Sequence, residues 1–486
     1  MSIENTGETY QNSKFIMASY GMNQFFGQWI TGPFGMYVFF FYETEIGLNV
    51  GLAALAFVLF SVWNAINDPL TGFLMERVIM PWEKRWGKRF PWIVIGAIPW
   101  LFSYAMIFMV PLVWDPVVDK WSVFTWLLVT TCIFDTFFTI WTVSVTSMYP
   151  DKFRGLNERR TAAGIGTIIG ITGIVSSSII PPLLITFGVP ESFRSAAWIV
   201  IGIGFLIFLT MLPGIREDKA TRDEYQKKRA RQAGSENLLP FFSTAKSVIT
   251  DKIFMSKVIF FFGYQAGVTL LSASAPYMIN FVFDMESAAL SILMGGMLGG
   301  ALLSVPIWIK VAHRLNDNRK LSLIAGVAMI AAYIPMVFIT NFSIFIGVLF
   351  FFGIGLGAQW FADPPTMGDV IDNVSIKTGV RQEAVYYGYQ AFFIRFGHSF
   401  QAGVFALVHS LTGFAEGSSN RAELAARSPS LDAALLGIRI HTALVPAVLV
   451  LICTLIFWKY YDLTPEKVAE NRRILKDLEI KEQEAL

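Results

Sequence analysis

Charge is scarce in this sequence. Asp, Glu, Lys and Arg make up 15% of its 486 residues, where a soluble globular chain carries about 25%. Too few charged groups are present to hold a large surface in water. Cysteine is scarcer still: Cys132 and Cys453 stand alone in apolar runs, so no disulfide or zinc framework is expected. The histidines, His313, His398, His409 and His441, have no metal-ligand spacing, and no metal site is predicted. No nucleophile–base set or nucleotide-binding loop is present, which speaks against an enzyme and against a bound cofactor. The net charge of +2 leaves nothing to attract nucleic acid. The polar stretch Met1 to Lys14 lacks the apolar core and cleavage site of a signal peptide, so the first spanning segment is the expected insertion signal.

Long uncharged runs fill the space that charge leaves. Apolar residues make up 54% of the chain and mean hydropathy is +0.53. Phe15 to Tyr42 and Pro91 to Val113 carry no charge at all, and each exceeds the roughly 20 residues a helix needs to cross a bilayer. Twelve such spans are read, near 15–42, 50–75, 91–112, 122–148, 162–187 and 196–214, then 257–283, 287–309, 321–340, 343–370, 385–412 and 440–461. Helices are expected because each satisfies its own backbone hydrogen bonds in lipid. The fold class is therefore all-α and integral to a lipid bilayer.

Lys and Arg concentrate on alternate loops, with Lys120, Arg194, Arg421 and Arg427 among the exceptions. The loop after the second span holds Lys84, Arg85, Lys88 and Arg89, the loop after the fourth holds Lys152, Arg154, Arg159 and Arg160, and the loop after the eighth holds Lys310, Arg314, Arg319 and Lys320. The positive-inside rule places these loops and both termini in the cytoplasm. A polar stretch over 216–252 separates a six-helix bundle over 1–215 from a second over 253–462, and a charged tail follows over 463–486. Each bundle has a basic cluster after its second helix, as a fold of two six-helix repeats predicts. The tail reads as a solvated cytoplasmic helix with Pro465 near its first turn.

Charges deep in a span are costly and are usually paired or functional. Asp68, Asp135 and Arg395 stand out. Two carboxylates against one guanidinium leave one unmatched negative charge, which attracts a cation or a proton; a purely structural ion pair is the competing reading. Asn64 and Asp68 are four apart and share a helix face, with Asn67 adjacent and Pro69 loosening the turn. Carboxylate and amide oxygens are hard ligands suited to a small cation. Beyond span ten, Asp369, Asp372, Arg381 and Glu383 read equally as a solvated loop or as an inner gate whose ion pairs form in one access state. Trp360, Trp141 and Phe138 either line a cavity or pack.

At these residues the sequence resembles the glycoside–pentoside–hexuronide:cation symporters, a branch of the major facilitator superfamily that includes the melibiose permeases. The resemblance runs from Ser19-Tyr20-Gly21 through Trp63 to Pro69 and Trp86-Gly87-Lys88-Arg89-Phe90-Pro91-Trp92. It continues through Asp369 to Ala384 to Trp458-Lys459-Tyr460-Tyr461-Asp462-Leu463. It implies the twelve-helix fold of that superfamily, in two six-helix halves. It implies a cation site at Asn67 and Asp68, with Asn64 beside them, and a solute site at Asp135 and Trp360. Arg395 is implied as the neutralising cation, and Asp369, Asp372, Arg381, Glu383 and Arg159 as the cytoplasmic gate.

The sequence departs from the family pattern at several of these places. Asn64 stands where the family has an aspartate, Cys132 where it has a threonine ligand, Gln28 where it has a sugar-binding aspartate and Thr139 where it has a stacking tryptophan. Thr167 stands where a basic residue is expected. One carboxylate fewer leaves less charge to offset sodium dehydration, and sulfur is a poor sodium ligand, so the coupling ion is expected to be H+ rather than Na+. The leading expectation is a monomeric, plasma-membrane symporter of a sugar-like small-molecule solute. A uniporter or proton-coupled carrier of another solute, lipid-like molecules included, and a non-transporting sensor on the same fold are the alternatives.

Overall fold

The computed structural model describes residues 12–77, 83–218, 222, 250–378 and 383–485. They divide into two compact units, with the boundary between Ser235 and Glu236. The first unit holds α1 (Lys14–Phe40), α2 (Val50–Arg77), α3 (Arg89–Phe108), α4 (Lys120–Lys152), α5 (Leu156–Ile179) and α6 (Pro190–Ile215). The second holds α7 (Lys252–Tyr277), α8 (Ala289–Leu315), α9 (Asn318–Met336) and α10 (Phe342–Thr378). It continues with α11 (Glu383–Ile394), α12 (Phe396–Thr412), α13 (Leu431–Arg439), α14 (Val445–Tyr460) and α15 (Pro465–Ala485). Eleven helical segments of the described chain are long and apolar enough to cross a membrane. The twelfth span is α1, whose 27 residues include Asn23, Gln24 and Gln28.

The eleventh span is two helices. The ladder is interrupted at Arg395, whose N–H reaches back only to the Phe392 carbonyl at 3.3 Å. The last span is likewise composite: α13 passes through a π-turn at Ile440–Leu444 into α14.

The two units repeat one packing scheme. In the first, α1 packs on α5 and α6, α2 on α4, and α3 on α4 and α6; in the second, α7 packs on α12 and α14, α8 on α10, and α9 on α10 and α14. The repeat reaches into backbone detail. Both α1 and α7 end in a π-turn, at Phe41–Glu45 and Met278–Val282. Each turn is closed by a five-residue backbone bond, from Ile46 N–H to the Phe41 carbonyl at 3.0 Å and from Phe283 N–H to the Met278 carbonyl at 2.9 Å. A left-handed residue follows in each case, Gly47 at φ 83° and Asp284 at φ 55°.

Helix starts are fixed by carboxylates and hydroxyls that meet the orphan N–H groups of a first turn. Ser13 accepts from Ile16 N–H, Asp251 from Ile253 and Phe254 N–H, and Asp317 from Lys320 N–H. At α3 the acceptor comes from far away in sequence: Glu217, just past α6, takes the N–H groups of Lys88, Arg89 and Phe90. Gly87 at φ 90° makes this possible, because a Cβ there would lie 2.3 Å from a Glu217 carboxylate oxygen.

The tail departs from the solvated helix expected for it. Val468 of α15 packs against the apolar core around Phe254, Val370 and Phe457, and Arg472 pairs with Asp369 at 3.2 Å. Other residues of α15, among them Glu466, Lys467, Glu470 and Arg473, are exposed.

Candidate functional site

The polar centre of the first unit is the seam between α2 and α4. Asp135 is buried there, 2% exposed, and its two oxygens take different donors. Oδ1 accepts from the Asn64 amide, and Oδ2 from the Asn67 amide at 3.1 Å. The same Asn67 Nδ2 lies 3.1 Å from Thr139 Oγ1, and Thr139 Oγ1 donates to Asp68 Oδ1 at 2.7 Å. Asn67 Oδ1 accepts from Thr71 at 3.0 Å. The result is one chain of contacts, Asn64–Asp135–Asn67–Thr139–Asp68, across two helices.

This geometry redraws the sequence-based assignment. Asn64 and Asn67, expected as cation ligands beside Asp68, direct their amide donors to Asp135. The oxygen of Asn67 is taken up by Thr71. Thr139, expected with the solute, is the donor to Asp68. The period of the helix placed Asn64 and Asp68 on one face correctly, but which helix that face meets is a packing fact. One turn along, Trp63 Nε1 donates to Thr136 at 3.1 Å and completes the seam.

Other predicted residues lie elsewhere. Gln28 is half-buried on α1 and its Cβ faces Gly173 of α5. Trp141 is packed into an aromatic cluster with Trp100 and Phe26, ring centroids 5.0 and 5.5 Å away, and Phe138 joins it at 5.0 Å from Trp100. Trp141 is core, whereas Phe138 is half-buried at its edge. Trp360 is half-buried on α10, and Arg395 stands at the break between α11 and α12, both in the second unit.

Two of the expected gate residues, Asp369 and Arg159, have hydrogen-bond partners within their own units. Asp369 accepts from Asn318 at 2.7 Å and from Arg472 at 3.2 Å. Arg159 caps the end of α4, donating to the carbonyls of Phe153 at 2.6 Å and Pro150 at 3.0 Å. Asp372 is half-buried on α10. Arg381 and the side chain of Glu383 lie outside the described residues.

Sequence reasoning missed a buried ion pair. Lys257 of α7 bonds Asp363 of α10, with side-chain exposures of 1% and 13%. Lys257 had been taken as the edge of its span, where a lysine reaches the interface at little cost. The available signal was Asp363, an isolated carboxylate inside an expected span. Among the described residues no group of three or more His, Cys, Asp or Glu is placed to hold a metal. A shallow depression of about 500 Å³ lined by Trp114, Trp121 and Trp126 belongs to the far end of α3 and α4, away from this chemistry.

A model of the MFS/sugar transport protein family matches residues 19–464. The chain belongs to that family. It is a membrane transporter of the major facilitator type, and its relatives are transporters rather than enzymes. It is 23% identical to sodium-dependent lysophosphatidylcholine symporter 1 of Gallus gallus, over 86% of this chain and 80% of that one. It is 22% identical to the isoprimeverose transporter of Lactiplantibacillus pentosus, over 80% and 78%. Among solved structures it resembles a bacterial homolog of the human lysosomal transporter Spinster, with a TM-score of 0.62 at 14% identity, covering 92% of this chain and 95% of the other. The nucleoside transporter NupG gives 0.57 at 13% identity, covering 92% and 98%. These two likenesses concern the fold of the transporter alone.

Proposed function

We propose that this transporter is a cation-coupled symporter of a sugar-like solute, with H+ rather than Na+ as the coupling ion, working by alternating access in the plasma membrane with both termini cytoplasmic. The observation that carries this reading is the contact chain from Asp135 to Asp68. Asp68 is the ion site and Asp135 the acceptor for solute hydroxyls. Asn67 and Thr139 connect them. A proton on Asp68 weakens it as the acceptor for the Thr139 hydroxyl and adds an O–H donor there, so the Thr139 hydroxyl is freer to turn to other partners. Asn67 shifts with it, and the hydrogen bonding around Asp135 changes. Solute affinity is thereby linked to ion occupancy, and linkage is reciprocal. A single carboxylate flanked by a hydroxyl suits a proton better than sodium, which needs several oxygen ligands to replace its water. Asp369, Asp372 and Arg159 exchange partners as the gate opens, and Arg395, at a break in a spanning helix, is the cation of the second unit that takes part in the cycle.

A second reading, a lipid-like solute, is favoured by the likeness to lysophosphatidylcholine symporters over four-fifths of their length. Uptake into proteoliposomes separates the two. Isoprimeverose and lysophosphatidylcholine are offered in turn, with pH and sodium gradients imposed separately. Accumulation of the sugar driven by an inward proton gradient is expected. Accumulation of the lysolipid alone would replace the solute assignment, and dependence on sodium alone would replace the ion assignment.

A further inference from the structure

The Lys257–Asp363 pair has surroundings that a simple strut would not need. Asp363 accepts from Gln390 Nε2 of α11 at 3.4 Å as well as from Lys257, and the buried Tyr264 hydroxyl lies close to it. Gln390 keeps a buried carbonyl oxygen with no hydrogen-bond partner, and so does Gln359, which is four residues before Asp363 and shares its helix face. Pro364 and Pro365 follow directly inside α10. Their nitrogens cannot donate, so the carbonyls of Trp360 and Phe361 lose their usual helical partners. The Asp363 carboxylate thus meets the Gln390 amide between α10 and α11, with the Gln359 oxygen one turn back on the same helix face and the two released carbonyls in the turn before the prolines. That is a set of hard oxygen ligands of the kind that holds a small cation. The ammonium of Lys257 is bonded into it, its flank 5.1 Å from the Phe261 ring.

We infer that Lys257 is a tethered cation filling an oxygen-lined carboxylate site in the second unit, so that Asp363 is closed to exchangeable ions. Under the transport reading, on which this last step rests, ion exchange is then left to the α2–α4 seam. The physical basis is charge balance. A buried carboxylate left without its cation is strongly destabilising and will take whatever cation reaches it. The groups facing Asp363 are Lys257 and Tyr264 from α7 and Gln390 from α11. Charges on the other helices packed against α10 are engaged or exposed: Arg472 of α15 pairs with Asp369, Lys320 of α9 with Asp317, Arg319 of α9 donates to the Trp458 carbonyl, and Lys310 and Arg314 of α8 are exposed.

The test is the melting temperature of the purified full chain in detergent, which needs no solute and no transport. Its failure and failure of the symport reading are therefore separate results. Lys257→Met is expected to lower the midpoint by on the order of 5–10 °C at neutral pH in choline chloride. Most of that loss should return on acidification, or on replacing choline with sodium, beyond any change in the parent protein. Asp363→Asn strands the ammonium instead, so its loss should be relieved by raising the pH and not by sodium. The double variant Lys257→Met/Asp363→Asn should recover at neutral pH without either aid. A Lys257→Met loss that acid, sodium and Asp363→Asn all leave unchanged overturns the inference, as does no loss at all. If Lys257→Met cannot be purified, an Asp363→Asn loss that persists at alkaline pH overturns it equally.

Discussion

The α2–α4 seam and the α8–α10 seam occupy the same place in their two units, yet they are built from opposite materials. The first is joined by amides, hydroxyls and two carboxylates. The second is joined by close backbone contact: a Cβ on Gly300 would lie 2.0 Å from the Phe350 carbonyl, one on Gly353 2.0 Å from that of Met297, and one on Gly357 2.4 Å from that of Ala301. Glycine seams of this kind gain their stability from dispersion and tight fit in lipid. The hydrogen bond across this seam runs from the Trp308 indole N–H to the Ile354 carbonyl at 2.9 Å, and no carboxylate is part of it. A repeated fold therefore does not repeat its chemistry. Under the proposed reading the polar seam, whose donors are neutral, is the one that exchanges a proton, whereas in the second unit a buried carboxylate lies between α7 and α10 and is bonded by a lysine.

The sharpest way to break this contrast is at Asp135. Asp135→Ala removes a charged acceptor and leaves the Asn64 and Asn67 amides without it. Hydrogen bonds to charged groups contribute about 1.5–3 kcal/mol, so solute affinity in a proteoliposome binding assay should fall about 10- to 150-fold. Unchanged affinity would move the solute site off the seam. The apolar seam should instead fail by overpacking. Gly353→Val is expected to cost about 1–3 kcal/mol, seen as a melting temperature lower by roughly 5 °C, with ion dependence unaltered in whatever protein remains folded.

Smaller changes sharpen the comparison. Thr139→Val preserves shape and removes the link between Asn67 and Asp68. A neutral hydrogen bond is worth about 0.5–1.5 kcal/mol, so gradient-driven accumulation should drop roughly 2- to 12-fold while solute exchange without a gradient is better retained. Equal losses in both assays would mean that Thr139 serves binding and not coupling.

The smallest effect expected is at the start of α3. Desolvation by burial raises the Glu217 carboxyl above its ordinary 4.5 despite the three N–H groups and the Arg89 charge that lower it. A carboxyl with a raised folded-state pKa contributes stability that is present below 4.5 and is lost as pH rises through the raised value. Parent protein should therefore gain stability relative to Glu217→Gln on acidification from neutral pH, by less than about 1 kcal/mol. A gain on moving toward alkaline pH would show the N–H groups outweighing burial. In the second unit Asp317 caps α9 locally, at 2.9 Å from Lys320 N–H, where the first unit recruits Glu217 from beyond α6.

Much of this architecture was legible in the residues. Uncharged runs of spanning length are hard to hide, and Asp68 and Asp135 stand out because each is the one charged residue of its expected span. The break at Arg395 was less legible, since the apolar run passes through it without a proline or glycine at the break. Lys257 escaped notice because a lysine near the start of a span looks interfacial until the neighbouring helix is known. The aromatic residues Trp141 and Phe138 were ambiguous for the same reason: a ring that lines a cavity and a ring that fills a core have the same sequence signature.

The sequence by itself determined that this chain lies in a bilayer as two blocks of helices, and it marked Asp68, Asp135 and Arg395 as charges inside it though not Lys257 and Asp363, because burying charge in hydrocarbon is costly and mid-span charges are rare. Only the tertiary structure decided what each charge meets. Asn64 turned to Asp135, Thr139 to Asp68, Lys257 to Asp363 and Arg472 to Asp369. Those choices depend on which helix faces which and at what height. That is set by packing between residues up to about a hundred positions apart, for which a run of apolar letters carries no code.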